Sequence, residues 1–184
     1  MIYEVCVDWD ATDWSAEPDF SEAYDNISGD LATDTAQYIG WNRGKEREPG
    51  NAPAATCDIH LRPGLCAKYS PWTTGTLTGK VRPWLPVRVR AVIGAQTIPV
   101  FAGFIAKFSY NPHQDVQSTT LYCTDGLDLL ARQMVTQDYR DTTACSDGEA
   151  IDEILNASGW SATRRAVDKD GGDSLLRYPR TTRV

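Results

Sequence analysis

Residues 85–130, LPVRVRAVIGAQTIPVFAGFIAKFSYNPHQDVQSTTLYCTDGLDLL, decide the fold. Val87, Val89, Ala91 and Ile93 alternate with Arg88, Arg90 and Val92, the period-2 pattern of a strand with one buried face. Gly94, Ala95 and Gln96 predict a tight turn into a returning strand that continues through Phe104, Ala106, Phe108 and Tyr110. Gly103 interrupts that strand, which marks a bulge or a close backbone approach. Asn111 and Pro112 turn the chain again, and residues 117–124 form the next strand. Asp125 then caps a helix, with Leu127, Leu130, Ala131 and Met134 at the i, i+3, i+4, i+7 spacing of a buried stripe.

Working outward, Tyr3, Val5, Val7 and Trp9 predict an opening strand, residues 36–41 a second, and residues 55–61 a strictly alternating third. Residues 10–34 are acidic and aperiodic, and residues 42–53 read as an exposed loop. The connection from Arg62 to Trp84, broken by Pro71, Gly75, Gly79 and Pro83, is longer than a compact domain needs for joining two strands. Downstream, Ser146 and Glu149 form a capping box for a second helix, with Ile151, Ile154 and Leu155 as its buried stripe and Gly159 as its stop. The fold class that follows is α+β, mainly β: a barrel-like antiparallel domain over residues 1–160 with short amphipathic helices near 125–135 and 147–158. Residues 161–184 read as a linker or the start of a second, incomplete domain.

Over 184 residues, 41% hydrophobic and 23% charged, no run reaches the roughly 20 apolar residues of a membrane span. The amino terminus MIYEVCVDWD does not read as a secretory signal, so a cytoplasmic site of synthesis is expected. A net charge of −7 argues against a phosphate-binding surface. The five cysteines are odd in number and spread out, without a C-x-x-C pair, and read as reduced core residues.

Motifs for chemistry are incomplete. Asp8, Asp10 and Asp13 have the opening spacing of a calcium loop, but the sixth and twelfth positions hold Asp13 and Asp19 where Gly and Glu are required, so solvated surface acids are expected. Gly75, Gly79 and Lys80 fall one residue short of a phosphate loop, with Val81 in place of the magnesium-binding hydroxyl. His60 and His113 both read as surface residues with no nucleophile motif nearby. No catalytic residue, cofactor or metal is expected. Aromatics on loops, Trp14, Trp41, Trp72 and Trp84, suit either stacking on sugars and anchoring a protein interface or capping a small β core, and the pattern leaves both open.

An ordered series of segments is similar to phage tail-tip or baseplate hub proteins, the minor tail proteins related to the late control protein D family and to type VI secretion spike hubs. The segments are VCVDWD, WNRG, ATCDIHLRPG followed by Tyr69, Ser70 and Pro71, LPVRVRAV with VFAGFIA, LYCTDGLDLLA, and AIDEILNASGW, spanning about Val5 to Trp160. The resemblance implies a structural, non-enzymatic barrel-like hub in a virion tail, assembled in a host bacterial cytoplasm as a homotrimeric ring that joins the tail tube to tip or fibre proteins. The candidate interface residues are Trp41, Arg43, Tyr69, Trp72 and Trp84. Hubs of this kind continue beyond the position of Trp160 into a second domain, whereas this chain stops at Val184, which implies a shortened or split hub or its amino-terminal part. The alternative is a carbohydrate- or receptor-binding β module of the tail tip that uses the loop aromatics.

Overall fold

The computed structural model describes residues 2–15, 17–33, 38–42, 53–112, 117–132 and 147–160. By chain contacts the protein divides into two compact units, Met1–Leu130 and Ala131–Val184. The first is built on six antiparallel strands: β1 (Ile2–Val7), β2 (Ile39–Asn42), β3 (Thr56–Leu61), β4 (Pro86–Ile93), β5 (Gln96–Pro112) and β6 (Gln117–Thr124). They form one sheet in the order β1-β4-β5-β6-β3-β2. Helix α1 (Gly126–Arg132) follows β6 directly, and α2 (Asp147–Ala157) belongs to the second unit. Among the described residues no helix is long and apolar enough to cross a membrane.

The hairpin of the deciding stretch folds as its pattern requires, whereas Asn111 and Pro112, expected to turn the chain, are the last two residues of β5, paired with Ser118 and Gln117. The β4–β5 hairpin has a two-residue loop, since Ile93 pairs with Gln96. Gly94 has φ +60°, and Ala95 is not among the residues with positive φ, so glycine takes the first central position of a type II′-like turn whose twist matches the strands. Gly103 marks a close approach: a Cβ there would lie 2.2 Å from the Thr124 carbonyl oxygen. The bulges fall on either side of it. Val89 pairs with Phe101 and Arg90 with Pro99, leaving Val100 extra; Ile105 pairs with Cys123 and Lys107 with Tyr122, leaving Ala106 extra. Each adds local bend and twist to the longest strand.

The inner face carries Val5, Val7, Cys57, Ile59, Leu61, Val87, Val89, Ile105 and Leu121, joined by Trp9 from the loop after β1. Burying each Val, Ile or Leu stabilises the fold by roughly 1.5–3 kcal/mol relative to exposure.

The barrel-like expectation is corrected to an open sheet, because β1 and β2 are its two ends and do not pair with each other. Other groups lace that opening. Along β1, Val7 N–H donates to Asp25 O, Ile27 N–H to Val5 O and Val5 N–H to Ser28 Oγ, all at 2.9 Å. Along β3, Ala32 N–H donates to His60 O (2.9 Å) and Arg62 N–H to Asp30 O (2.8 Å). The segment from Asp25 to Ala32 thus satisfies backbone groups of the end strand β1 and of the end of β3 beyond its pairing with β2, which answers the exposure of unpaired backbone. Farther along, the Tyr3 ring packs edge-on against Tyr38 and Trp41, at centroid distances of 5.9 and 5.8 Å.

The helices need a second correction. In α1 the buried leucine is Leu129, whereas Leu127 is 51% exposed. Ala131 is exposed, and Met134 lies outside the described residues. In α2, Ile151 and Ile154 are exposed and Leu155 is half-buried, while Asp152 and Ser158 are buried. Periodicity identifies an apolar stripe but not what covers it. The ends behave as expected: the Asp125 carboxylate accepts from Leu127 N–H (3.0 Å), the cap of α1. Gly159, at φ +78°, closes α2 with Gly159 N–H to Asn156 O and Trp160 N–H to Leu155 O, a Schellman pair. Ser146 lies outside the described residues.

Candidate interaction surface

Residues 62–85 connect β3 to β4 and carry three of the five candidate interface residues. The connection is irregular in φ and ψ yet held at many points. Tyr69, Leu77, Val81 and Leu85 are buried in the core. Gly75 (φ +106°) and Gly79 (φ +73°) take left-handed turns closed by Thr78 N–H to Gly75 O and Lys80 N–H to Leu77 O. At the far end, Trp84 N–H donates to Ile105 O (2.7 Å) and Ile105 N–H to Leu85 O (2.9 Å).

Asp30, at the end of the lacing segment, fastens the near end. It accepts from the Tyr69 hydroxyl (2.5 Å), from Lys68 Nζ (2.5 Å) and from Arg62 Nη2 (3.2 Å). Burial alone would push its carboxyl up, but the hydrogen bonds from Lys68 and Tyr69 and the charge of Lys68 outweigh that and hold it below the usual carboxylate range. Burial, reinforced by Asp30, pushes the Tyr69 hydroxyl far above its ordinary value, so Tyr69 remains a donor. Tyr110 adds a further tie, donating to Tyr69 O at 2.7 Å.

The five candidates have different fates. Trp72 is 87% exposed at the tip of the held loop, between Pro71 and Thr73. Trp41 is 42% exposed at the margin of β2, its ring against Tyr3. Trp84 is half-buried and has φ +68°, an unusual conformation for a large side chain. Arg43 lies outside the described residues. Tyr69 is corrected from surface to core: it is fully buried, its ring 5.7 Å from that of Trp9, because its hydroxyl finds Asp30 inside the fold. The sequence contains a signal for Asp30 only in retrospect, since an acid 39 residues before its tyrosine partner has no local pattern.

The motifs considered for chemistry resolve into structural roles. Asp8 is corrected from solvated acid to buried loop organiser, with its carboxylate accepting from the N–H groups of Asp10 (3.1 Å), Ala11 (2.9 Å) and Asp19 (2.9 Å). Asp10 instead meets Lys80 Nζ (2.5 Å) and the Tyr24 hydroxyl. Lys80, the lysine of the incomplete phosphate loop, is thereby engaged and also lies over the Tyr24 ring. Arg82 donates to the carbonyls of Ala11 and Thr12, fixing the acidic loop against the long connection. His60 Nδ1 is 3.0 Å from Thr120 Oγ1 on the outer face of β3, and His113 lies outside the described residues. Among the described residues no three His, Cys, Asp or Glu side chains are grouped to hold a metal ion. Cys6, Cys57, Cys66 and Cys123 are free thiols, three of them buried, and Cys145 lies outside the described residues.

No protein-family model matches the chain, and no curated protein matches it.

Proposed function

We propose that the chain is a structural component of the tail tip of a phage or phage-like particle, a hub protein that joins the tail tube to tip or fibre proteins. The observation that carries this reading is the ordered series of hub-like segments from Val5 to Trp160, of which residues 85–130 are the centre. An open antiparallel sheet with a covered end strand and a firmly held long loop suits a part whose work is packing and docking. On this reading the domain completes a barrel-like wall within a homotrimeric ring and has no catalytic role. Labelling the chain in intact particles tests it: density or label at the tail tip is expected, and loss of the gene should give particles with incomplete tips. Purified particles that lack the chain would overturn the proposal.

A second reading, a carbohydrate- or receptor-binding module, is favoured by one observation, the exposure of Trp72 on an ordered loop. Aromatic rings presented in this way stack on sugar faces. Glycan-array binding lost in Trp72→Ala would support it, and an array with no signal for the wild-type chain would remove it.

A further inference from the structure

Charge is segregated along this chain. Residues 1–42 hold ten carboxylates and no Lys or Arg, while residues 59–114 hold seven Lys or Arg and no carboxylate. Folding joins the halves through Lys80 and Asp10 (2.5 Å), and through Arg88 and Arg90 with Glu4 (3.6 and 3.9 Å). Two of the sites where charge remains unbalanced are of opposite sign. Arg62 and Lys68 converge on the single carboxylate of Asp30, leaving one excess cation close in sequence to Trp72, and their side chains are 53% and 50% exposed. Asp19 and Glu22 are exposed, and neither makes an ion pair among the described residues.

We infer that the Trp72 loop is a docking anchor whose partner is a second copy of this chain, received at the acidic turn around Asp19 and Glu22. Three properties support the role. Trp72 offers the large, rigid apolar surface typical of interface hot spots. The loop is ordered by Tyr69, Leu77, Val81 and Leu85, so little conformational freedom is lost when it docks. The cations that precede the anchor in sequence complement the unpaired carboxylates, and complementary patches on one chain bring copies together.

The inference does not depend on the tail-tip reading, because it is tested on the isolated full chain by sedimentation velocity over a concentration series. Wild-type chain is expected to self-associate, and Trp72→Ala and Glu22→Lys each to weaken association by about tenfold or more. Glu22→Lys is diagnostic in sign. It makes a chain of net charge −7 less negative, which by general repulsion would strengthen association, so weakening must come from the local pair. Zero-length carbodiimide coupling should also join Lys68 of one copy to Glu22 of another, seen as a mixed peptide when isotopically labelled and unlabelled chains are combined. Unchanged circular dichroism and melting in both variants separate lost docking from lost folding. A monomer at every concentration, or association untouched by both substitutions, would overturn the inference, as would Trp72-dependent glycan binding without association.

Discussion

Asp30 shows how one side chain organises a loop. Its carboxylate gathers Tyr69, Lys68 and Arg62, two of them cations whose exposed pairs are each worth about 1 kcal/mol or less. The Tyr69 hydroxyl is different, because it is buried and donates to a charged acceptor. Tyr69→Phe, which keeps the ring, should cost about 1.5–3 kcal/mol, measured by denaturant unfolding. The pH dependence follows from Asp30 having a folded pKa below its unfolded value of about 3.9: the stabilisation is present above that pH and is lost as pH falls through the folded value. The deficit of Asp30→Asn should therefore shrink toward zero in strong acid. Asp25 behaves oppositely. Burial pushes its carboxyl up, with the charges of Asp8 and Asp10 adding to the shift against hydrogen bonds from the Glu22 and Trp9 backbone, and its Oδ1 has no hydrogen-bond partner. Its favourable contribution is present below the unfolded pKa and disappears as pH rises through the folded one. Asp25→Asn should thus raise the melting temperature at neutral pH and lose that advantage in acid. None of this is legible in the sequence, where Asp8, Asp25 and Asp30 look like members of one solvated acidic run; their burial depends on contacts with distant segments.

At the scale of elements, local rules decide wherever they concern the backbone. Asp125 has two tasks: it caps α1 through Leu127 N–H, and its Oδ2 accepts from Ala55 N–H (2.8 Å) at the start of β3. Asp125→Ala should cost about 2 kcal/mol, more than an isolated cap in a peptide, because a second donor loses its acceptor. Gly103→Ala should be at least as severe, about 2–3 kcal/mol by unfolding, since the new methyl would meet the Thr124 backbone oxygen at 2.2 Å and backbone cannot give way as a flexible side chain can. The turn at Gly94, the cap at Asp125 and the stop at Gly159 are readable because each depends on a few neighbouring residues. The buried faces of the helices are not. Leu127, Leu129 and Leu130 offer more than one apolar face in two turns of helix, and Leu129 is the one that is covered.

At the scale of the whole molecule, the pairing of β3 with β6 sets Cys57 directly opposite Cys123, both deep in the core. Burial, with a smaller contribution from Asp58, pushes the Cys57 thiol up to about 12, and burial also raises the Cys123 thiol well above its ordinary value. Thiols in that state are poor nucleophiles. Alkylation followed by peptide mass spectrometry should leave both unmodified in native buffer near neutral pH and label both in guanidinium, and labelling in native buffer would contradict the buried pairing. The period-2 alternation that places Cys57, Ile59 and Leu61 on one face is also what marks the strands of this sheet in the amino-acid sequence. By itself, then, the sequence determined the mainly β class, the alternating strands, the turn at Gly94, the cap at Asp125, the stop at Gly159 and the burial of Cys6, Cys57 and Cys123, since periodicity, glycine conformations and capping act over a few residues. The tertiary structure decided that the sheet stays open and is laced by Asp25–Ala32, that Tyr69 turns inward to Asp30, that Asp8 is buried, and that Trp72 stays in solvent. Each of those outcomes rests on groups far apart in the chain, whose desolvation and pairing take shape once the strands have come together.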